Sequence, residues 1–181
     1  MEIRGLRLVI LAVDVQYSGS LAFVAGILFE DWNSQSSEAE YVSTLSDIKE
    51  YEAGNFYMRE LPCILKLLEE HKLKPSIIAV DGYVFLDGVK KPGLGKHLYD
   101  SLNYQIEVIG VAKKAFSGIS REYEIYRGKS KKPLYITTTG KLDSAKAFIS
   151  GMYGENRFPF LLKRADQLCR EEANKSLHQM S

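Results

Sequence analysis

Ser76-Ile77-Ile78-Ala79-Val80-Asp81-Gly82 is the stretch that decides the fold. Ser76 to Val80 reads as a short strand whose unbroken apolar run suits burial on both faces of a sheet, and it stops at an Asp-Gly pair. A helical segment from about Leu94 to Leu102 follows and leads to a second apolar strand, Ile106 to Val111. Strand, helix, strand in this order implies parallel pairing through a right-handed crossover.

Upstream, Arg7 to Val15 and Leu21 to Phe29 are rich in Val, Ile, Leu and Phe, and the turn at Gly19 between them predicts a β-hairpin. Asn33 to Ser37 reads as a loop, and Glu38 to Leu45 as a third strand returning beside the hairpin. A helix is expected to begin around Arg59 to Pro62 and to end near His71, with Leu61, Ile64, Leu65 and Leu68 at helical spacing. Downstream, Glu122 to Tyr126 and Leu134 to Thr138 look like strands on either side of a basic turn, Arg127 to Lys132. Helices at about Asp143 to Tyr153 and Pro159 to Ala173 close the chain, with a loose tail expected from about Asn174. The pattern predicts an α/β fold: a mixed central sheet with an antiparallel three-strand opening and flanking helices.

With 181 residues, 45% of them apolar, the chain fits one domain over 1–181. Its 24 basic and 23 acidic residues leave a formal charge of +1, so no whole-molecule field draws it to a polyanion and any such contact must be local. Two cysteines, Cys63 and Cys169, far apart in sequence, give neither a disulfide framework nor a zinc motif and suit a reducing compartment. The apolar run in Met1 to Leu11 is too short to span a bilayer and has no cleavage site, so a cytoplasmic protein without membrane contact is expected.

Asp14 ends the apolar run Leu8 to Val13, where an unpaired buried carboxylate costs several kcal/mol, roughly. Asp81 repeats the pattern at the carboxyl end of a central strand, the edge at which open α/β sheets bind ligands. Either aspartate alone can merely cap a strand end. If the two converge, their repulsion calls for a cation between them, and oxygen ligands without His or Cys favour Mg2+, with Mn2+ able to substitute. Glu60 is a candidate third carboxylate, or simply a first-turn glutamate that favours the helix dipole.

Several stretches together resemble the endonuclease V family. Val13-Asp14-Val15-Gln16-Tyr17 is similar to its opening aspartate motif, and Phe56-Tyr57-Met58-Arg59-Glu60-Leu61-Pro62 to its Phe-Arg-Glu-Gly-Pro motif. Val80-Asp81-Gly82 with Pro92 to Leu98, Gly110-Val111-Ala112-Lys113-Lys114, and Arg157-Phe158-Pro159 to Ala165-Asp166 are similar to the motifs that follow.

The resemblance implies a ribonuclease H-like fold and magnesium-dependent cleavage of DNA, or of RNA, at the second phosphodiester bond 3′ to deoxyinosine or inosine. It implies that Asp14, Glu60 and Asp81 hold metal, that Lys113 lies near the scissile phosphate, and that Asp166 occupies an outer position of the centre. It also implies that Tyr51 belongs to a wedge loop and that Gly54, Phe56, Gly82 and Phe116 line a pocket for the altered base. Small residues allow close backbone approach there, and aromatic faces can stack.

Lys114, Lys90, Lys91, Arg127, Lys129, Lys131 and Lys132 could meet phosphates, although charge runs are usually solvated surface. No obligate protein partner is implied. The sequence departs from the family in two places. Tyr51-Glu52-Ala53-Gly54 stands where the family has Tyr-Ile-Pro-Gly, and Tyr83 to Pro92 is about one residue longer than usual and lacks a histidine. Two alternatives remain open: the same metal chemistry on another mismatched or structured nucleic acid, or a catalytically weak binding protein.

Overall fold

A computed structural model describes residues 7–50 and 52–179. Seven strands form one sheet: β1 (Ile10–Ser18), β2 (Leu21–Phe29), β3 (Ala39–Leu45), β4 (Ile77–Asp81), β5 (Glu107–Ala112), β6 (Glu124–Ile125) and β7 (Leu134–Thr138). Their order across the sheet is β3-β2-β1-β4-β5-β7-β6. The first three strands pair antiparallel, β1 pairs parallel with β4 and β4 with β5, and β7 turns antiparallel again. Four helices cover the sheet: α1 (Tyr57–Glu70), α2 (Leu94–Ser101), α3 (Leu142–Gly151) and α4 (Phe160–Gln179).

Period-two alternation sorts the strand residues into two cores. Ile10, Ala12, Ala25, Ile27 and Ala79 pack with Leu161, Leu162, Ala165 and Cys169 on the α4 side. Leu11, Val13, Val24, Ile78 and Val80 pack with Ile64, Leu67 and Leu98 on the α1 and α2 side. Gly110 lets the sheet's central edge close tightly, because a Cβ there would meet the Gly82 oxygen at 2.6 Å and the Val84 nitrogen at 2.8 Å.

Three expectations change. Glu122 to Tyr126 is a 3-10 turn, Arg121–Tyr123, followed by only two strand residues. α4 runs beyond Ala173 to Gln179, so the stretch after Asn174 is helical; Ala173 is buried, and Lys175 pairs with Glu172 on the same face.

Arg127 is not a phosphate contact on the surface but 6% exposed. Its guanidinium donates to the carbonyls of Asn156 (2.8 Å), Gly154 (3.1 Å), Met152 and Arg157, fastening the segment that leads into α4. Arg127→Ala is expected to destabilise the protein by about 2–4 kcal/mol in urea unfolding, because several carbonyls lose a charged donor at once. Arg127→Lys should recover little of this, since an ammonium cannot span the same acceptors.

Candidate active site

The β1/β4 ladder ends at Val13↔Val80, and the next residue on each strand is an aspartate. Asp14 and Asp81 therefore stand side by side on neighbouring parallel strands, where chains lie about 4.8 Å apart. By the alternation above, both occupy positions in register with the α4 face. Lys113 follows directly on β5, the next strand over, so three adjacent strands deliver three charged groups to one edge.

Helices bring two more carboxylates. Glu60 lies in the first turn of α1, is 7% exposed, and has no hydrogen-bond or ion-pair partner among the described residues. Its burial, and then the charges of Asp14 and Asp81, hold its carboxyl well above the usual range. Asp166 comes from α4 and pairs with Arg170 at 2.8 Å. Burial pushes Asp14 up to about 7, with the Asp81 charge next in importance and Asp166 adding to it; the Val15 N–H, donating at 2.8 Å, works against the rise. Acidic groups thus crowd together, and the compensation within reach is small.

Lys113 supplies part of that compensation. Its Nζ lies 2.7 Å from Asp81 Oδ2, a half-exposed ion pair of the kind that contributes little net energy. The Asp81 carboxylate thus has a cationic partner within the protein.

Arg157 and Phe158 were quoted in the sequence only as part of a motif, with no role. Arg157 bonds the carbonyls of Lys113, Pro133 (2.6 Å) and Lys132 (3.1 Å), and the Phe158 ring lies 4.2 Å from the Lys113 ammonium. They position the lysine. Tyr17 is a third motif residue with a structural place: its ring lies under the Arg59 guanidinium at 4.0 Å, and its buried hydroxyl has no hydrogen-bond partner among the described residues. The sequence signal for all three is a motif position alone.

A cavity of about 150 Å³ opens beside Glu60 and Asp81, lined also by Gly54, Phe56, Tyr57, Gly82 and Tyr83. That volume matches an engineered cavity able to hold a benzene ring. Tyr57 stacks on His97 at 3.7 Å, which gives one wall a fixed aromatic face. Gly82 adopts φ +145°, backbone that side-chain-bearing residues rarely take. Phe116 does not line this cavity. Tyr83 donates to the Lys114 carbonyl (2.7 Å) and accepts from the Phe116 N–H (3.1 Å), so residues 114–116 are strapped behind the tyrosine. Lys114 itself is exposed, and Tyr51 lies outside the described residues.

Asp14, Glu60, Asp81 and Asp166 offer hard carboxylate oxygens that fit a hard divalent cation, and among the described residues one oxygen each of Asp14 and Asp166 lies within 4.8 Å of the other and of the Cys169 sulfur. The order of strands, with acidic groups at the central parallel pair, defines a ribonuclease H-like α/β protein. A crystal structure of endonuclease V from Streptomyces avermitilis superposes with a TM-score of 0.75 at 23% identity, covering 93% of this chain and 82% of that one. Endonuclease V from Ciona intestinalis, in complex with a 24mer DNA containing an inosine followed by a ribo-adenosine, superposes with a TM-score of 0.76 at 18% identity, covering 93% and 87%.

The family model for endonuclease V matches residues 3–142, and the chain belongs to that family. It is 28% identical over 148 residues to endonuclease V of Rippkaea orientalis, covering 68% of this chain and 62% of the relative, so it spans about three fifths of that protein's length. Arg157, Asp166 and Cys169 lie beyond the family-matched residues. No helix among the described residues is long and apolar enough to cross a membrane.

Proposed function

We propose that the chain is a Mg2+-dependent endonuclease, with Mn2+ able to replace Mg2+, that cuts DNA at the second phosphodiester bond 3′ to deoxyinosine, or RNA 3′ to inosine. The observation that carries this reading is the buried Glu60 carboxylate without a partner, set against Asp14 and Asp81. Family membership and the inosine-containing DNA held by the Ciona relative support the substrate.

Asp14, Glu60 and Asp81 would hold the cation, which when bound supplies Lewis-acid polarisation of the phosphate and an activated water. Lys113, braced by Arg157 and Phe158, places an ammonium beside Asp81, where it can steady negative charge gathering on the phosphoryl oxygens. Asp166, from the α4 layer and paired with Arg170, would stand at the rim of the centre.

The cavity takes the extruded base. Gly54 and Gly82 allow backbone approach, Tyr57 and Phe56 offer ring faces, and Glu60 is part of the lining. Tyr51 would wedge the strand, Phe116 would support the Tyr83 wall from behind, and the exposed Lys114 would meet a phosphate. We place this activity in a single domain, in the cytoplasm, in DNA repair and without an obligate protein partner.

One observation favours a second reading, the same chemistry on another mismatched or structured nucleic acid. Glu52 is exposed at the wedge loop and accepts from the Asn55 amide at 3.2 Å, so a negative charge faces the polyanion.

Incubation of the chain with labelled strands carrying inosine, uracil or a mismatch, with Mg2+ and with chelator, tests both. Inosine-directed cutting that chelator stops supports the first reading, and Mg2+-dependent cutting without inosine preference supports the second. No cutting of any strand would leave only binding. Restoring the wedge with Glu52→Ile and Ala53→Pro is expected to raise inosine preference by about tenfold, equivalent to about 1.4 kcal/mol.

A further inference from the structure

On the α4 side of the centre stands a group that none of these steps uses. Cys169 follows Asp166 by three residues, so the two share a helix face, and that face is turned to the sheet at Asp14. The Cys169 Sγ and one carboxylate oxygen each from Asp14 and Asp166 all lie within 4.8 Å of one another. Cys169 is fully buried, and its thiol reaches the Asp166 carbonyl at 3.2 Å.

A buried cysteine is ordinarily a small apolar filler, and Cys63 fits that description, sitting in the α1 core against the Arg59 carbonyl. Cys169 differs in facing two carboxylates. It also differs in its neighbourhood: Asp14 stands beside Asp81 on the adjoining strand, and the 7% exposed Glu60, without a hydrogen-bond or ion-pair partner among the described residues, lines the cavity on the other face. The trio therefore adjoins a group of carboxylates in which Arg170 pairs with Asp166 and Lys113 with Asp81, while Asp14 has no ion-pair partner among the described residues. Bonds of about 2.0–2.3 Å from a cation to oxygen and sulfur bring such a trio within reach after small rotamer changes.

We propose that Cys169, Asp14 and Asp166 form a mixed oxygen and sulfur site that takes a borderline or soft divalent cation, such as zinc or cadmium, next to the hard-cation position of Asp14, Glu60 and Asp81. The inference rests on the carboxylates being metal ligands, as read above. On binding, the sulfur–cation bond forms as the thiol proton passes to solvent, which a bound cation makes favourable for a coordinating thiol. Because Asp14 is common to both positions, a soft cation held there competes with the hard one. Thiolate ligands select softer ions than carboxylates do.

The test uses the full chain and cadmium chloride as the probe, read by the ultraviolet charge-transfer absorbance of a cadmium–thiolate bond. Wild type and Cys63→Ser are expected to develop the band at one equivalent, and Cys169→Ser to lack it. Cadmium affinity should fall by about tenfold or more in Cys169→Ser, while Mn2+ affinity, followed by electron paramagnetic resonance, stays the same. Cys169→Ala carries the same expectation if the serine variant does not fold. A band that persists without Cys169, or its absence from wild type, overturns the proposal. If wild type then still binds Mn2+ and Asp81→Asn does not, the carboxylate centre stands and only the sulfur ligand is lost; if neither ion binds, the centre itself falls.

Discussion

Replacing Asp14 by asparagine is expected to abolish cleavage while making the protein harder to unfold. Asp14 is held at about 7 by burial first and by the Asp81 charge second, so near pH 8 the folded protein carries an ionised group in surroundings that disfavour it. Asparagine is nearly isosteric, and its carbonyl can still accept the Val15 N–H. The substitution removes the charge and keeps the contact. A gain of about 1–3 kcal/mol in unfolding free energy is expected at neutral to alkaline pH, together with a loss of about 10³-fold or more in cleavage rate. Urea unfolding and a single-turnover cleavage assay on the same preparation check both halves. Should the variant lose stability, Asp14 would be a structural partner, and its place in the centre would have to be given up.

The second large effect is the response of stability to pH and to divalent ions. Asp14 binds its proton more tightly in the folded state than in the unfolded one, whose value is near 3.8. Between about pH 4 and pH 7 the folded state therefore holds more protons, and the contribution of this group to stability falls as pH rises, then stays flat. Glu60, raised in the same direction, adds to the slope. Asp87, held at about 2 by the backbone N–H groups of Lys91, Lys90 and Val89, acts with the opposite sign, but its effect is lost only below about pH 4. Thermal melts in chelator should thus show a downward slope across this window that is reduced in Asp14→Asn. Mn2+ or Mg2+ at a hundred times its dissociation constant should add about 2.7 kcal/mol. At a fixed ion concentration the gain should be larger at about pH 8 than at about pH 5, because protons compete for the same oxygens and weaken binding. Equal gains at both pH values would mean that the ion binds elsewhere.

The centre of the sheet could be read in the sequence because its signal was local. Ile77 to Val80 and Val108 to Ala112 are unbroken apolar runs, and the register that sets Asp14 beside Asp81 follows from an aspartate closing the apolar run on each of two paired strands. Leu134–Thr138 was placed to the residue. The edge was harder to read. Glu122 to Tyr126 has strand-like composition, but Ser120 accepts the Glu122 N–H and starts a 3-10 turn, a hydrogen bond that periodicity does not report. Arg127 looked like one charge in a solvated run because nothing near it in sequence reveals the carbonyls of residues 152–157 that surround it. Cys169 was read only for redox compartment and zinc spacing, because its partner Asp14 lies on the first strand, at the far end of the sequence.

α4 lies across β1 and β2, and the family-matched stretch ends before it begins. Ile10, Ala12, Ala25 and Ile27 are wholly or almost wholly out of water, and Leu161, Leu162, Ala165 and Cys169 belong to the core that covers them. A chain cut after Leu142 would present that face as a wet apolar slab, leave the Arg127 guanidinium without its ring of carbonyls, and strip one wall from Asp14. The segment shared most visibly with relatives is thus one side of a shell, and inheritance of the fold requires the less recognisable side to be kept as well.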